Sequence, residues 1–203
     1  GLRYLVRSLG LGDGYKSPVL PPREASLHKG RAGHLLVFGG GPEMAVAAGL
    51  AGAAALLCGS GRVTIACQPA SAAALAAGAP ELMVRSVSAP ADLTGLLDQM
   101  DAIVVGPGLG QDSWGTTLLA LILDKADPSL LDADALNLLS LDRQPVGGSI
   151  VTPHPAEAAR PLGKSTANVS GDRPGAVRAI PTTLDGGRRL KGAAQLVVSS
   201  KGP

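Results

Sequence analysis

The sequence predicts an α/β fold, with a mostly parallel sheet flanked by helices, and three observations support this prediction. Short apolar runs rich in Val, Ile and Leu alternate with longer Ala-rich or amphipathic runs, the pattern typical of a parallel sheet covered by helices. The chain of 203 residues is 45% hydrophobic, which is enough for one domain with its own core. Turns of glycine, proline or polar residues follow most of the apolar runs, as expected where strands lead into helices.

Composition excludes several classes of protein. Only 2% of the residues are aromatic and the formal net charge is +2, so neither a basic field nor stacking side chains favour nucleic acid as a partner. No uninterrupted apolar run approaches the ~18 residues of a membrane-spanning helix, and the N-terminus lacks the apolar core of a signal peptide. Cys58 and Cys67 lack the spacing of a metal site. We therefore expect reduced, buried thiols in a cytoplasmic protein without a membrane partner.

The predicted elements follow an N-terminal arm. Residues 1–27 are interrupted by glycines and prolines and predict an arm or linker ahead of a domain that spans residues 28–203. The apolar runs that predict strands are His34–Gly40, Arg62–Cys67, Glu81–Val87, Ala102–Gly108, Ser129–Leu131 and Gly148–His154, with a further apolar run at Leu190–Ser200. The runs that predict helices are Met44–Gly61, Ser71–Gly78, Ser113–Ala126, the run that starts at Asp132, one through Ala156–Arg160 and one near Asp172–Ile180; Ala91–Met100 is amphipathic.

Five polar or glycine-rich loops follow these strands, and they predict where a ligand binds. They are residues 39–43 (GGGPE), 106–110 (GPGLG), 132–137 (DADALN), 152–157 (TPHPAE) and 191–195 (KGAAQ). In a parallel sheet the carboxyl ends of the strands meet at one edge, and ligands bind outside that edge. The sequence therefore predicts a small-molecule site built from these loops.

The two glycine loops each have two interpretations. Gly39–Met44 lets the backbone approach a ligand and opens a helix whose N–H groups bind an anion, or it is an ordinary turn from strand to helix. In the second loop Pro107 fixes one torsion, while Gly106, Gly108 and Gly110 leave no side chain to block a bound group. Neither loop matches a dinucleotide fingerprint or a Walker A sequence.

The remaining loops carry the titratable candidates. Asp132 and Asp134 are two apart; we expect Asp134 to cap the following helix and Asp132 to face the site. His154 lies between two prolines at a strand end, which favours rigid presentation, although a lone histidine is often structural. Lys191 suits a phosphate contact or is a surface lysine. The segment His28–His34 lacks a third metal ligand and is interpreted as a solvated lead-in.

Taken in order, the loops resemble one family. HKGRAGH, GGGPEM, VVGPGLG, LLDADALNLL, VTPHPAEAAR and LKGAA, within residues 28–193, resemble the ADP/ATP-dependent NAD(P)H-hydrate dehydratases. The resemblance implies a ribokinase-like, three-layer α/β/α fold and nicotinamide-nucleotide repair, in which a lyase removes water from the S epimer of hydrated NADH or NADPH. It also implies ADP or ATP as phosphoryl donor, Mg²⁺, a homo-oligomer and a fused or partner epimerase.

The resemblance also assigns residues by position. Ala47, Gly108 and His154 match positions that contact the hydrated nicotinamide nucleotide, and Asp132 lies on the same edge. The segment that matches the adenylate-holding positions is Lys191, Gly192, Ala193, Ala194 and Gln195.

The chain departs from the family pattern towards its end. The family follows its lysine segment with a G-x-G-D motif that carries the catalytic aspartate, and no such motif occurs between Lys191 and Pro203. Arg188 and Arg189 stand where a buried apolar strand is expected, and Pro161 falls in a helical run. These departures keep open a non-catalytic nucleotide-binding relative as an alternative. A vitamin-precursor kinase of the same fold is a further alternative, although it does not explain DADALN followed by TPHP.

Overall fold

The computed structural model describes residues 28–126, 130–142, 148–180, 187–192 and 195–198, and the predicted arm lies outside these residues. The strands are β1 His34–Phe38, β2 Arg62–Cys67, β3 Met83–Ser86, β4 Ala102–Val105, β5 Leu130–Leu131, β6 Ile150–Val151, β7 Arg188–Leu190 and β8 Leu196–Val198. The helices are α1 Ala45–Cys58, α2 Pro69–Gly78, α3 Ser113–Lys125, α4 Ala133–Asp142, α5 Pro155–Leu162, α6 Thr166–Gly171 and α7 Arg173–Ala179.

The strands form one eight-stranded sheet in the order β3-β2-β1-β4-β5-β6-β7-β8. Every neighbouring pair from β3 to β7 is parallel, and only β7 and β8 are antiparallel. The predicted mostly parallel α/β sheet is therefore confirmed. The carboxyl ends of β1, β4, β5, β6 and β7 lie at one edge of the sheet.

Alternate residues of the central strand β1 pack into two different clusters. Leu36 and Phe38 are fully buried in the larger cluster, which also contains apolar residues of α3 and α4. Val37, between them, is fully buried in the smaller cluster with Ala48 of α1 and Leu75 of α2. Both sides of β1 are therefore covered, as a parallel sheet requires.

Helix α1 packs closely because its residues are small. A side chain at Gly52 would meet Ile65 of β2 at 2.7 Å, so glycine allows the helix to approach the sheet. The helix ends at Gly59, whose φ of 110° is the left-handed conformation typical of a helix C-terminus. Along the part of the chain that the structure describes, no helix is both long and apolar enough to cross a membrane.

Three local predictions were wrong or incomplete. His34 is buried rather than solvated: its Nε2 lies 2.8 Å from Thr64 Oγ1, and burial is the main cause that lowers its pKa. Both cysteines are free, but only Cys67 is buried, which raises the pKa of its thiol, whereas Cys58 at the end of α1 is exposed. The amphipathic run forms two short 3-10 turns, Pro90–Leu93 and Leu97–Gln99, which are separated by the extended Thr94 and by Gly95 with φ +73°.

The two departures predicted near the end of the chain are accommodated. Pro161 marks the end of α5, which stops one residue later and is followed by the left-handed Gly163. Strand β7 forms in spite of its arginines: the Arg188 Nε donates a hydrogen bond of 2.7 Å to the Ile180 carbonyl, and Arg189 is exposed.

Candidate functional site

The two glycine loops are joined to each other by their backbones. Gly40 N donates to the Pro107 carbonyl at 3.1 Å and Gly41 N donates to the Gly108 carbonyl at 2.6 Å. In the other direction, Gly106 N donates to the carbonyl of Phe38 at 3.0 Å. The loops after β1 and β4 therefore form one continuous surface at the carboxyl edge.

Most glycines of these loops are required by the protein itself. A Cβ at Gly39 would overlap the Pro107 carbonyl, and a Cβ at Gly106 would overlap the Asp132 carbonyl. Gly106 also has φ +123°, which side chains rarely adopt. Only Gly110 fits the prediction of open space, because a Cβ there would meet nothing within 4 Å.

Gly108 and Ala47, both predicted to contact the substrate, lie close to Met44. A Cβ at Gly108 would overlap the Met44 carbonyl, and Ala47 N donates to the same carbonyl at 3.1 Å. The first turn of α1 has neither a side-chain cap nor an acidic residue. Its N–H groups therefore provide the kind of positive helix terminus that suits an anionic ligand.

The two aspartates after β5 bond two different loops. Asp134 lies inside the first turn of α4, and its carboxylate accepts hydrogen bonds from Gly110 N at 3.0 Å and Gln111 Nε2 at 3.3 Å. The prediction that Asp134 caps the helix is wrong, since α4 begins at Ala133 and Asp132 precedes it. Asp132 Oδ1 accepts from Ala133 N at 2.9 Å and forms an ion pair with Lys191 Nζ.

Ala133 separates these two carboxylates in a strained conformation. Its φ of +45° is the only positive value at a residue other than glycine in the described ranges. Such a conformation costs an L-residue roughly 1–2 kcal/mol. The hydrogen bonds of Asp132 and Asp134 hold this turn on both sides, so that one carboxylate contacts the lysine and the other contacts the glycine loop.

Lys191 is the residue at which three loops meet. Its side chain contacts Asp132 after β5, and its backbone N–H donates to the Pro153 carbonyl after β6 at 2.9 Å. The ion pair is partly open to solvent, with 33% of the lysine side chain and 24% of the aspartate side chain exposed. The predicted convergence of the loops is therefore confirmed at this position, 59 residues from Asp132 in sequence.

His154 is the N-cap of α5, and both of its ring nitrogens have partners in that turn. Nδ1 accepts from Ala156 N at 3.1 Å and Glu157 N at 3.3 Å. Nε2 lies 3.2 Å from the carboxylate of the buried Glu157, which also accepts from the backbone N–H of His154 at 2.8 Å. Sequence reasoning missed Glu157, although a glutamate three residues after a cap is the usual signal of a capping box.

The remaining predicted nucleotide residues follow Lys191. Gly192 is exposed beside the guanidinium of Arg173, a residue that sequence reasoning missed. Gln195 accepts a hydrogen bond from Arg189 at 3.1 Å and donates one to the Gly192 carbonyl at 3.2 Å. Ala193 and Ala194 lie outside the described residues.

No group of three metal-ligating side chains occurs among the residues that the structure describes. The carboxylates nearest the loops, Asp132 and Asp134, are already bonded to Lys191 and to the glycine loop. Mg²⁺ usually keeps several waters and binds through substrate phosphates and one or two carboxylates. These residues therefore suit a cation that binds together with a phosphorylated ligand better than a cation that protein side chains alone coordinate.

Comparison with known proteins agrees with this geometry. Residues 35–203 match the family model of the NAD(P)H-hydrate dehydratases. A bifunctional NAD(P)H-hydrate repair enzyme from Coxiella burnetii is 41% identical over 180 residues, which cover 89% of this chain and 37% of that enzyme. An ADP-dependent (S)-NAD(P)H-hydrate dehydratase from Neisseria meningitidis is 40% identical over 190 residues, which cover 89% of this chain and 63% of that enzyme.

A solved structure shows the same fold. The ADP/ATP-dependent NAD(P)H-hydrate dehydratase from Bacillus subtilis, co-crystallized with ATP/Mg²⁺, superposes with a TM-score of 0.69 at 27% identity. The match covers 90% of this chain and 66% of that one. The chain spans less than two thirds of the length of the two curated relatives, at 37% and 63%.

Proposed function

Because this chain belongs to the NAD(P)H-hydrate dehydratase family, we propose that the full-length protein dehydrates the S epimer of hydrated NADH or NADPH. In this proposal ADP or ATP donates a phosphoryl group, and the enzyme is a lyase of nicotinamide-nucleotide repair. The relative from Neisseria, which is an ADP-dependent dehydratase of the (S)-hydrate, supports both the substrate and the donor.

The arrangement of the loops along one edge is the observation that carries the proposal. The glycine loops with Ala47 and Gly108 follow β1 and β4, and Lys191 follows β7 at the other end of that edge. Four strand spacings separate β1 from β7, which at ~4.8 Å each amounts to roughly 19 Å. This length accommodates two ligands side by side, a nicotinamide nucleotide over the glycine loops and an adenine nucleotide near Lys191.

The residues suit phosphoryl transfer followed by elimination. The hydroxyl oxygen of the hydrated ring forms the new P–O bond and loses its proton, and the nucleotide leaves with one phosphoryl group fewer. The C–O bond then breaks, phosphate departs, and the neighbouring ring carbon loses a proton to give the double bond. Hydroxide is a poor leaving group and phosphate a good one, so positioning and charge neutralisation carry most of such catalysis.

The chain's own groups for this chemistry are the first turn of α1 and the ammonium of Lys191. The first turn of α1, which has no side-chain cap, would bind anionic oxygens beside Gly108. The ammonium of Lys191, held by Asp132, provides a positive charge for a phosphate. His154 fixes the loop after β6 by capping α5, and because 51% of its side chain is exposed, a contact with the substrate stays part of this proposal. Mg²⁺, when bound with the nucleotide, would neutralise phosphate charge.

Three further properties belong to the same proposal. The bifunctional relatives and the resemblance support a hydrate epimerase in the same full-length protein or in a partner. The resemblance supports a homo-oligomer. The substrate, a damaged form of a soluble coenzyme, supports action in the cytoplasm.

The test is recovery of NADH by the full-length gene product. Purified protein is mixed with hydrated NADH of known epimer composition, Mg²⁺, and either ADP, ATP or no nucleotide, and NADH absorbance is followed. We expect recovery limited to the S epimer and dependent on nucleotide. No recovery with either nucleotide would overturn the proposal, and ADP binding without turnover would favour the non-catalytic alternative.

A further inference from the structure

Arg173, in the first turn of α7, reaches across to the end of β7. Its Nη1 donates to the Lys191 carbonyl at 3.2 Å, and its Nη2 donates to the Leu190 carbonyl at 3.4 Å. The residue lies 18 positions before Lys191 in sequence, and Asp172 beside it caps the helix through Gly175 N at 2.9 Å. The guanidinium is therefore presented to the lysine segment by a helix whose start is fixed.

The guanidinium also explains the glycine after the lysine. A Cβ at Gly192 would overlap Nη1 of Arg173 and would lie 2.8 Å from both Cζ and Nη2. All three atoms belong to the planar end of the arginine, so this plane lies directly against the Gly192 backbone. Any side chain at position 192 would have to displace the arginine, which links the two residues structurally.

Lys191 is thereby held at three points by three different elements. Its N–H donates to Pro153, its carbonyl accepts from Arg173, and its ammonium contacts Asp132. Fixing a free lysine side chain costs about 2 kcal/mol of rotamer entropy. Because the backbone and the ammonium of Lys191 are already restrained, less of this entropy is lost when a ligand binds.

Two basic groups lie at this segment, the guanidinium of Arg173 against the backbone and the ammonium of Lys191 beside Asp132. The segment lies at the carboxyl edge, where ligands of such sheets bind. The ammonium of Lys191 is partly exposed and suits a phosphate group of a ligand at that edge.

We propose that Arg173 is a positioning residue for the adenine nucleotide: its guanidinium, lying against Gly192 and bonded to the carbonyls of Leu190 and Lys191, fixes the backbone from which Lys191 meets the nucleotide. This inference rests on the proposed function. It gives α7, outside all five predicted loops, a part in nucleotide affinity that acts through Lys191.

The test compares three variants of the full-length gene product by calorimetric titration with ADP. Arg173→Met removes the donors, and we expect the Kd for ADP to rise about tenfold, or 1.4 kcal/mol. Arg173→Lys keeps the charge but cannot bond both carbonyls while lying flat, so an intermediate rise is expected. The matched control is Arg178→Met on the same helix. Arg178 is exposed and donates to the Pro174 carbonyl one turn earlier at 3.3 Å, so the Kd of this variant for ADP should not change.

Steady-state kinetics separate positioning from general damage to the structure. A positioning role raises KM for ADP, with kcat and KM for the hydrated nucleotide within about twofold of their original values. An unchanged affinity for ADP in Arg173→Met, or an equal loss in Arg178→Met, would overturn the inference. If Arg173→Met does not fold, Arg173→Lys decides by the same measurement, with its melting temperature as the check on folding. Absence of ADP binding by the unsubstituted protein would instead count against the proposed function.

Discussion

After β1 and β4 the site loops are joined by backbone hydrogen bonds that two glycines donate, whereas the loops after β5 and β7 are joined by an ion pair between side chains. Gly40 and Gly41 donate to the carbonyls of Pro107 and Gly108. On the other side, the ion pair between Asp132 and Lys191 makes the corresponding link. One half of the edge therefore depends on close approach of the backbone, and the other half depends on charge.

The difference has consequences for how each half tolerates change. Backbone contacts at van der Waals distance leave no room for a methyl group, and protein interiors do not yield easily. Charged contacts near solvent contribute little to stability, and salt screens them. We therefore expect substitutions in the glycine half to act on folding and substitutions in the charged half to act on ligand binding.

The largest effect is expected for Gly106→Ala in the glycine half. The new methyl group would overlap the Asp132 carbonyl, and alanine would have to adopt φ +123°. Overpacking typically costs 1–3 kcal/mol, and the backbone strain adds to it, so we expect a loss of roughly 3 kcal/mol or more in the free energy of unfolding. Urea denaturation measures it.

Gly110→Ala is the matched control for this prediction. Gly110 also has positive φ, +81°, but a methyl group there would meet nothing within 4 Å. Only the conformational cost of about 1 kcal/mol should remain. Equal losses of unfolding free energy in the two variants would show that the positive φ, rather than the close approach of two loops, explains why glycine occupies these positions.

The second prediction concerns the charged half and is smaller. A double-mutant cycle with Lys191→Met and Asp132→Asn should give a coupling energy of roughly 0.5–1 kcal/mol in urea denaturation, because the pair is partly exposed. The coupling should fall as salt is added. The pair of Lys125 and Asp124, with 64% and 69% of the side chains exposed, is the control and should give almost none. A coupling as large as the loss in Gly106→Ala would contradict the proposed division between the halves.

The sequence predicted the sheet and the positions of its loops because both depend on local patterns. The predicted runs of six or seven residues became the strands β1, β2, β3 and β4, which are four to six residues long and differ from the predictions by at most three residues at either end. The glycine loops were recognised as close approaches of the backbone, although the approach is mostly between the loops themselves. Local pattern is sufficient where the backbone alone decides the structure.

The partners of the charged side chains were not predictable in the same way. Arg173 contacts a segment 18 residues away, and Asp132 contacts a lysine 59 residues away, so spacing in the sequence carries no signal for either contact. Asp134 looked like a cap because capping is local, but its carboxylate bonds Gly110, 24 residues earlier. Such contacts depend on strand order, which the sequence alone did not give.

The third prediction concerns pH and His34, which begins β1 at the end of the strand away from the glycine loop. Burial, and then the charge of Arg62, lower the pKa of His34, while Asp101 acts in the other direction. The unfolded chain therefore binds a proton at this histidine more readily than the folded chain does, and stability should decrease as the pH falls below about 6.5. His34→Leu should flatten this dependence in urea denaturation. Thr64→Val, which removes the partner of the ring but keeps the titrating group, should retain a decrease with falling pH.

The smallest effect is expected at Ala133, between the two aspartates of the charged half. Replacement by glycine relieves roughly 1–2 kcal/mol of strain at φ +45° but adds about 0.5–1 kcal/mol of backbone entropy to the unfolded chain. We expect a net gain of up to about 1 kcal/mol in the free energy of unfolding. Ala54→Gly, at an exposed position inside α1, is the control and should lose about 1 kcal/mol. A loss of the same size in Ala133→Gly would mean that alanine adopts this turn without strain. The hydrogen bonds of Asp132 and Asp134 would then not impose an unfavourable φ on Ala133.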